Sequence, residues 1–275
     1  MIVKKRTLAI VAFTTLVSVS CTGPSIPAST PLKVEEPLRI YTTTAVMPLV
    51  NDLTSTYSEQ QLSFETRSGN YRFALNQILD GKASYFVTNH LPLDSPLWAA
   101  PIAQDGIAVV VHPDNKIPGL TLDELRAIYQ GRVGNWRELG GPDLPLTVIS
   151  REDGSGTRAE FEGRTMGTRP TTTAARIVPS SAGMIDTVSR SAGSIGYVSL
   201  AYLDERVHAL PINGVSASQN TIRDNSYPLR STIYVVGNQE PTGALRTFIG
   251  WIQSPEGQAA AARRYSPLVT TPYSQ

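Results

Sequence analysis

Cysteine and histidine are scarce in this 275-residue chain, which holds one cysteine and three histidines. The lone cysteine, Cys21, cannot form an intramolecular disulfide. His90, His112 and His208 stand far apart and match neither a His-x-x-x-His motif nor a carboxylate-rich set of metal ligands. The sequence therefore predicts no metal site, and it offers no histidine base beside a nucleophile.

An excess of charge of one sign and long apolar runs are also missing. Lys plus Arg total 24 and Asp plus Glu total 23, so the net charge is +1. We find no basic stripe or aromatic-rich platform, which argues against a nucleic-acid partner. The longest apolar stretch, residues 8–19, has only about a dozen residues, too few for a comfortable transmembrane helix.

The first residues indicate export. A basic segment, Lys4-Lys5-Arg6, precedes the apolar stretch, and small residues follow it, so we interpret residues 1–20 as a signal peptide. Ser20-Cys21 resembles a bacterial lipoprotein processing site, although a plain secretory signal with an incidental cysteine is the alternative. Residues 21–37 are rich in Pro, Ser and Thr and predict a flexible tether. Together these features predict a lipoprotein on the outer face of the cell membrane or in the periplasm.

The most informative segment is Ser150-Arg151-Glu152-Asp153-Gly154-Ser155-Gly156-Thr157-Arg158. It lies between a predicted buried strand (145–149) and a predicted helix (157–164). Free N–H groups at the start of a helix, together with the helix dipole, form an anion site. Arg151 adds a planar fork of donors, Ser155 and Thr157 add hydroxyls, and Asp153 is placed to hold the guanidinium.

Other glycine-rich motifs fit this segment poorly. It lacks the Gly-x-Ser-x-Gly spacing of a nucleophile elbow, the Gly-Lys of a P-loop and the third glycine of a dinucleotide fingerprint. The remaining alternative is a glycine-rich surface turn in which the arginine pairs with the aspartate. We interpret the segment as a cradle for an anion.

Strand-like and helix-like stretches alternate along the chain, which favours an α/β fold. Thr121 to Glu124 form a predicted capping box, and Gly131 closes that helix. Besides 145–149, predicted strands cover 38–41, 62–66, 84–87, 107–111, 194–198 and 232–236. Other predicted helices cover 45–57, 70–79 and 243–263, the last interrupted near Ser254-Pro255.

Hydroxyl residues follow three of these strands, at 42–44, at Ser68-Gly69 and at 155–157. In open α/β sheets ligands bind in the crevice at the carboxyl ends of the strands. Three helix starts that meet on one small anion would form a coherent site. Simple helix capping is the alternative for the first two junctions.

Several ordered segments resemble the substrate-binding proteins of bacterial ABC-type phosphate importers. The resemblance covers about 38–268 and is strongest over Arg151 to Arg158. It also includes 105–113, 120–131 with Asn135-Trp136, 192–197, 227–229 and 254–258.

This resemblance implies a two-lobe, periplasmic-binding-protein-like α/β fold with the ligand cleft between lobes joined by two crossing segments. Lobe I would combine 38–109 with 234–275, and lobe II would be 110–233. By position, the phosphate ligands would be Thr44, the N–H of Ala45, Ser68, Asn89, Arg151, Ser155, Gly156 and Thr157. Asp153 would orient Arg151, Thr43 and His90 would lie behind the ligands, and Glu152 and Arg158 would point outward.

One position departs from the family pattern. The family usually has Ser-Asp after its third strand, whereas this chain has Thr88-Asn89-His90. A buried carboxylate accepts the proton of hydrogen phosphate and repels sulfate, while an asparagine offers an acceptor without the charge. Either Asn89 relaxes phosphate selectivity, or it caps the strand end and a neighbour supplies the acceptor.

The resulting prediction is a lipid-anchored, non-catalytic, monomeric protein without a cofactor. It would capture phosphate and deliver it to the permease subunits of an ABC importer. One alternative is a binding protein for sulfate, molybdate or tungstate, and another is a sensor on the same fold. An exported phosphatase is disfavoured because no nucleophile with an adjacent base is evident.

Overall fold

A computed structural model describes residues 37–58 and 63–268. The predicted signal peptide (1–20), Cys21 and all but the last residue of the predicted tether (21–37) lie outside the described residues. No helix in the described part is long and apolar enough to cross a membrane.

The described residues form a mixed sheet flanked by helices, as the α/β prediction requires. The strands are β1 (Leu38–Thr43), β2 (Phe64–Gly69), β3 (Tyr85–Thr88), β4 (Trp98–Val111), β5 (Thr147–Arg151), β6 (Arg176–Val178), β7 (Ser194–Ser199), β8 (His208–Leu210) and β9 (Arg230–Gly237). The helices are α1 (Met47–Thr56), α2 (Tyr71–Leu79), α3 (Leu122–Tyr129), α4 (Gly156–Thr165), α5 (Ser181–Val188), α6 (Gln219–Arg223), α7 (Gly243–Ile252) and α8 (Pro255–Ala261). The strand order is β2-β1-β3-β9-β4-β7-β5-β6, and β8 pairs with β4.

Strand β4 connects the two ends of this sheet. Its first part pairs antiparallel with β9, and its last part, Ile107 to Val111, pairs antiparallel with β7. The sequence predicted only the last part, because Pro101 interrupts the strand pattern. The register shifts between Pro101 and Ala103, which accommodates the proline within a strand of 14 residues.

The apolar core is divided along β4. Ile102 packs in a cluster with Leu49 and Phe248. Val109 packs in a different cluster with Trp136 and Phe161. The change of cluster within one strand supports two lobes, whereas the lobe boundaries given above stay a prediction.

Local sequence rules account for several helix ends. Thr121 and Glu124 form the predicted capping box of α3, and Gly131 follows that helix with φ of 72°. The predicted interruption near Ser254 separates α7 from α8, with Ser254 as the N-cap of the latter. The short elements β6, β8, α5 and α6 were not predicted, since runs of three to eight residues carry little periodicity.

Candidate functional site

Polar side chains gather where β1, β3 and β5 end. Nη2 of Arg151 donates to Oγ1 of Thr44 at 3.3 Å, which connects the end of β5 to the turn after β1. Nδ2 of Asn89 donates to Oγ1 of Thr157 at 3.3 Å, which connects the end of β3 to α4. The structure therefore brings together four of the predicted ligand-binding residues from distant parts of the chain.

The loop between β5 and α4 has the geometry of an anion cradle. Gly154 has φ of 93°, a left-handed conformation that favours glycine. Ser155 is the N-cap of α4, and its Oγ accepts from the N–H of Arg158 at 3.3 Å. The N–H groups of Gly156 and Thr157 open the helix and have no partner within it. These N–H groups lie at the positive end of the helix dipole, which favours the binding of an anion.

Arg151 is the buried cation of this site, with a side chain that is 3% exposed. Its Nε and Nη2 donate to the two carboxylate oxygens of Glu152 at 2.8 and 3.0 Å. The carbonyl oxygen of Pro179 accepts from Nη2 at 3.4 Å. These contacts fix the plane of the guanidinium, as binding of a tetrahedral oxyanion requires.

The structure corrects the prediction that Asp153 is the partner of Arg151. Asp153 does not hold the guanidinium; its carboxylate pairs with Arg72 at 3.0 Å and is 80% exposed. Strand alternation would place Asp153 on the same side as Arg151, but β5 ends at Arg151 and the turn at Gly154 carries Asp153 outward. Glu152 takes the expected role instead.

The expected outward orientation of Glu152 and Arg158 is likewise wrong. The side chain of Glu152 is 20% exposed and faces Arg151. Nη1 of Arg158 donates to the carbonyl oxygen of Arg151 at 3.1 Å, and its Nε donates to Glu162 at 2.8 Å. Both side chains therefore stabilise the loop through hydrogen bonds instead of pointing into solvent.

Asn89 carries a free polar atom at the site. The residue is 1% exposed, and its Oδ1 has no hydrogen-bond partner among the described residues. The strand end is closed by Thr88, whose Oγ1 accepts from the N–H of His90 at 3.1 Å. A Cβ on Gly156 would lie 3.3 Å from Oδ1 of Asn89, so this oxygen sits against the first residue of α4.

Three hydroxyls of the site accept hydrogen bonds from the protein. Thr44 accepts from Arg151, Ser155 accepts from the N–H of Arg158, and Thr157 accepts from Asn89. A hydroxyl that accepts a bond keeps its own proton for another acceptor. All three are therefore arranged to donate to an anion.

The remaining predicted site residues differ in their surroundings. Thr43 is 3% exposed and its Oγ1 has no partner in the described part of the chain. Ala45 is buried in the turn after β1, and its carbonyl oxygen accepts from Tyr265 at 2.8 Å. Ser68 is exposed at the end of β2, in register with Thr42, and Asn70 rather than Ser68 caps α2. His90 contacts Glu160 of α4.

Two residues beside the site carried no local signal in the sequence. The hydroxyl of Tyr202 donates to the carbonyl oxygen of Thr44 at 2.5 Å, and burial raises the pKa of Tyr202 above its ordinary value. Ser181 opens α5 next to Pro179, and its buried Oγ lacks a partner among the described residues. Only the parallel pairing of β5 with β6 brings this junction beside Arg151.

The residues of this site give little support for a function other than anion binding. Among residues 37–58 and 63–268, no three His, Cys, Asp or Glu side chains are grouped closely enough to hold a metal ion. The described titratable groups of the cradle are Arg151, Glu152, Asp153 and Arg158, which are paired with each other, with Arg72 or with Glu162. The arrangement is suited to holding an anion in place.

Comparison with known proteins shows which family the chain belongs to. The model of the PBP superfamily domain matches residues 27–256. The chain belongs to this superfamily. The match spans the cradle, and it confirms the predicted periplasmic-binding-protein-like fold.

Several individual relatives are phosphate-binding proteins by name. The phosphate-binding protein PstS of Bacillus subtilis is 29% identical over 232 residues, which cover 80% of this chain and 76% of that protein. The phosphate-binding protein PstS 2 of Streptococcus pneumoniae is 37% identical over 121 residues, 41% of this chain and 42% of that protein. A phosphate ABC transporter substrate-binding protein with bound phosphate from Clostridium perfringens has a TM-score of 0.80 at 28% identity, covering 85% of this chain and all of that one.

Proposed function

We propose that this chain is the substrate-binding protein of an ABC importer and that it captures inorganic phosphate. The buried Arg151, fixed by Glu152 beside three available hydroxyls, is the observation that supports this most strongly. The relatives named above are binding proteins, which supports a role without catalysis.

Phosphate would occupy the space between the ends of β1, β3 and β5. Because Glu152 takes Nε and Nη2 of Arg151, Nη1 of the guanidinium would donate to the ligand oxygens. The hydroxyls of Thr44, Ser155 and Thr157 and the N–H groups of Ala45 and Gly156 would donate to the rest, with Ser68 as a further donor if the edge of the site closes. Oδ1 of Asn89 would accept the one ligand proton of hydrogen phosphate.

Capture would depend on closure of two lobes, 38–109 with 234–275 and 110–233. Thr44 and Arg151 belong to different lobes in this division, so an anion between them favours the closed state. The closed form would present a distinct surface to the permease subunits, and the protein would act as a monomer. Residues 1–20 would direct export, and a lipid on Cys21 with the tether up to Pro37 would hold the protein at the outer face of the membrane or in the periplasm.

Ligand-induced thermal stabilisation of the purified protein tests this proposal. The panel contains phosphate, arsenate, sulfate, molybdate and tungstate. Ligand at 100 times its Kd adds about 2.7 kcal/mol to the free energy of unfolding. For a domain of this size the melting temperature then rises by roughly 5–10 °C. A shift with phosphate and arsenate is expected, and the lack of a shift with any oxyanion would contradict the proposal.

A second candidate is a binding protein with broader oxyanion specificity. The specific observation in its favour is Asn89, which offers an acceptor without a negative charge. An uncharged acceptor does not repel fully ionised sulfate as a carboxylate would. Equal thermal shifts with phosphate and sulfate would support this candidate.

A further inference from the structure

His90 and Glu160 form a partly buried hydrogen-bonded pair at the edge of the cradle. Nδ1 of His90 lies 2.9 Å from Oε1 of Glu160, and each side chain is 17% exposed. His90 follows β3, whereas Glu160 lies in α4, one turn after Gly156. The contact therefore joins elements that belong to different predicted lobes.

Each member of the pair is also held from its own side. The ring of Tyr71 meets the ring of His90 edge-on, with 4.8 Å between the centroids. Nη2 of Arg164 lies 3.1 Å from Oε2 of Glu160, within the same helix. Both side chains are thus oriented before they meet, which reduces the entropy that their contact must overcome.

The missing side chain of Gly156 makes this approach possible. A Cβ at this position would lie 2.9 Å from Cβ of His90, a distance that such atoms essentially never show. The segment 89–90 can therefore pack directly against the start of α4. The same approach brings Asn89 to Thr157, so the His90–Glu160 contact and the ligand cradle form together.

We propose that His90 and Glu160 act as a clasp that holds the cleft closed and slows phosphate release. This inference rests on the proposed function. Because the contact crosses between the predicted lobes, it stabilises the closed state and leaves each separate lobe unchanged. Its loss should raise the dissociation rate and have little effect on the association rate.

A second side-chain pair at the same edge is less suited to this role. Arg72 and Asp153 are 3.0 Å apart, but their side chains are 61% and 80% exposed. Exposed pairs are screened by water and salt and contribute little free energy. The clasp is therefore assigned to the more buried pair.

Phosphate release from the full protein tests the clasp in the variants H90A and E160Q and in the double variant. E160Q retains an acceptor for Arg164 while removing the charge. We expect each single variant to raise the dissociation rate about tenfold. The double variant should be no faster than either single variant, since both remove the same contact. The melting temperature of the ligand-free protein should not change.

H208A is the matched control, because His208 is exposed on β8, away from the cradle. It should release phosphate at the parental rate. Unchanged release by H90A, additive effects in the double variant, or an equal loss of melting temperature with and without phosphate would each overturn the clasp. Failure of the parent protein to bind phosphate, measured first, would instead overturn the proposed function and the clasp with it.

Discussion

Two adjacent carboxylates in the cradle loop show how strongly the position of a single residue determines its role. Glu152 pairs with the buried guanidinium of Arg151, whereas Asp153 pairs with the exposed Arg72. A buried cation that loses its partner is costly, because nothing replaces the water it has given up. The exposed pair has no comparable cost.

Replacing Glu152 by Gln should therefore lower the stability of the ligand-free protein by about 1–3 kcal/mol. Bound phosphate would supply a new anionic partner for Arg151, so this loss should be smaller at saturating phosphate. Denaturant unfolding with and without phosphate measures both quantities. The matched variant Asp153→Asn should stay within about 0.5 kcal/mol of the parent in both conditions. Equal losses in the two variants would show that Glu152 is not the residue that holds Arg151.

Asn89 determines how the site distinguishes oxyanions. Replacing it by Asp would add a buried charge that accepts a proton from hydrogen phosphate and repels sulfate. We expect Asn89→Asp to weaken sulfate relative to phosphate by about 100-fold or more, as expected where a buried acceptor is left unpaired. Competition of sulfate against bound phosphate measures this ratio. The control Asn51→Asp makes the same change of charge at an exposed position on α1 and should leave the ratio unaltered. The same ratio in both variants would show that Asn89 does not contact the ligand.

At the scale of elements, the start of α4 is the most constrained part of the site. Gly156 lies against both Asn89 and His90, while Gly163 in the same helix has nothing within 4 Å of an added Cβ. The two glycines therefore provide a comparison within one helix. Alanine at the first should interfere with contact between the lobes, and alanine at the second should affect only helix propensity.

Gly156→Ala should raise the Kd for phosphate about tenfold or more, because its Cβ blocks the approach of His90. Gly163→Ala should leave the Kd unchanged and stabilise the protein by roughly 0.5–1 kcal/mol through the preference of helices for alanine. Titration calorimetry and thermal unfolding measure the two effects. An unaltered Kd in Gly156→Ala would show that the close approach at α4 is not needed for binding.

Local patterns were enough to predict the elements that form the cradle. The strand before Arg151, the turn at Gly154 and the helix after Ser155 follow from apolar runs, glycine and capping residues. Contacts between distant segments could not be predicted in this way. The pairing of Tyr202 with Thr44 spans 158 positions, and the choice of Glu152 over Asp153 depends on where β5 ends. Tertiary packing determines such contacts, and the periodicity of apolar residues in the sequence does not reveal them.

For the molecule as a whole, β4 connects two of the apolar clusters, the cores that contain Ile102 and Val109, and it carries a buried acid. Asp105 is 1% exposed and lies between Ile102 of one core and Val109 of the other. Its Oδ1 accepts from the N–H of Gly106 at 2.8 Å, and the hydroxyl of Ser199 and the N–H of Leu200 also oppose the effect of burial on this carboxyl. Burial raises the pKa of Asp105 from 3.8 to about 7.

This acid should make the stability of the whole protein depend on pH. Between its ordinary pKa of 3.8 and its folded pKa of about 7, the folded protein holds a proton on Asp105 that the unfolded chain has released. Stability therefore falls as the pH rises through this range. Asp105→Asn keeps the acceptor for Gly106 and removes the charge, so the variant should lose less stability between pH 5 and about 8. Denaturant midpoints of ligand-free protein across this range measure the difference. Asp94→Asn, an exposed control, should follow the parental curve. If the Asp105→Asn curve also ran parallel to that of the parent, the side chain would already be ionised at pH 5, and water or a rearranged partner would have to compensate its burial at the junction of the two cores.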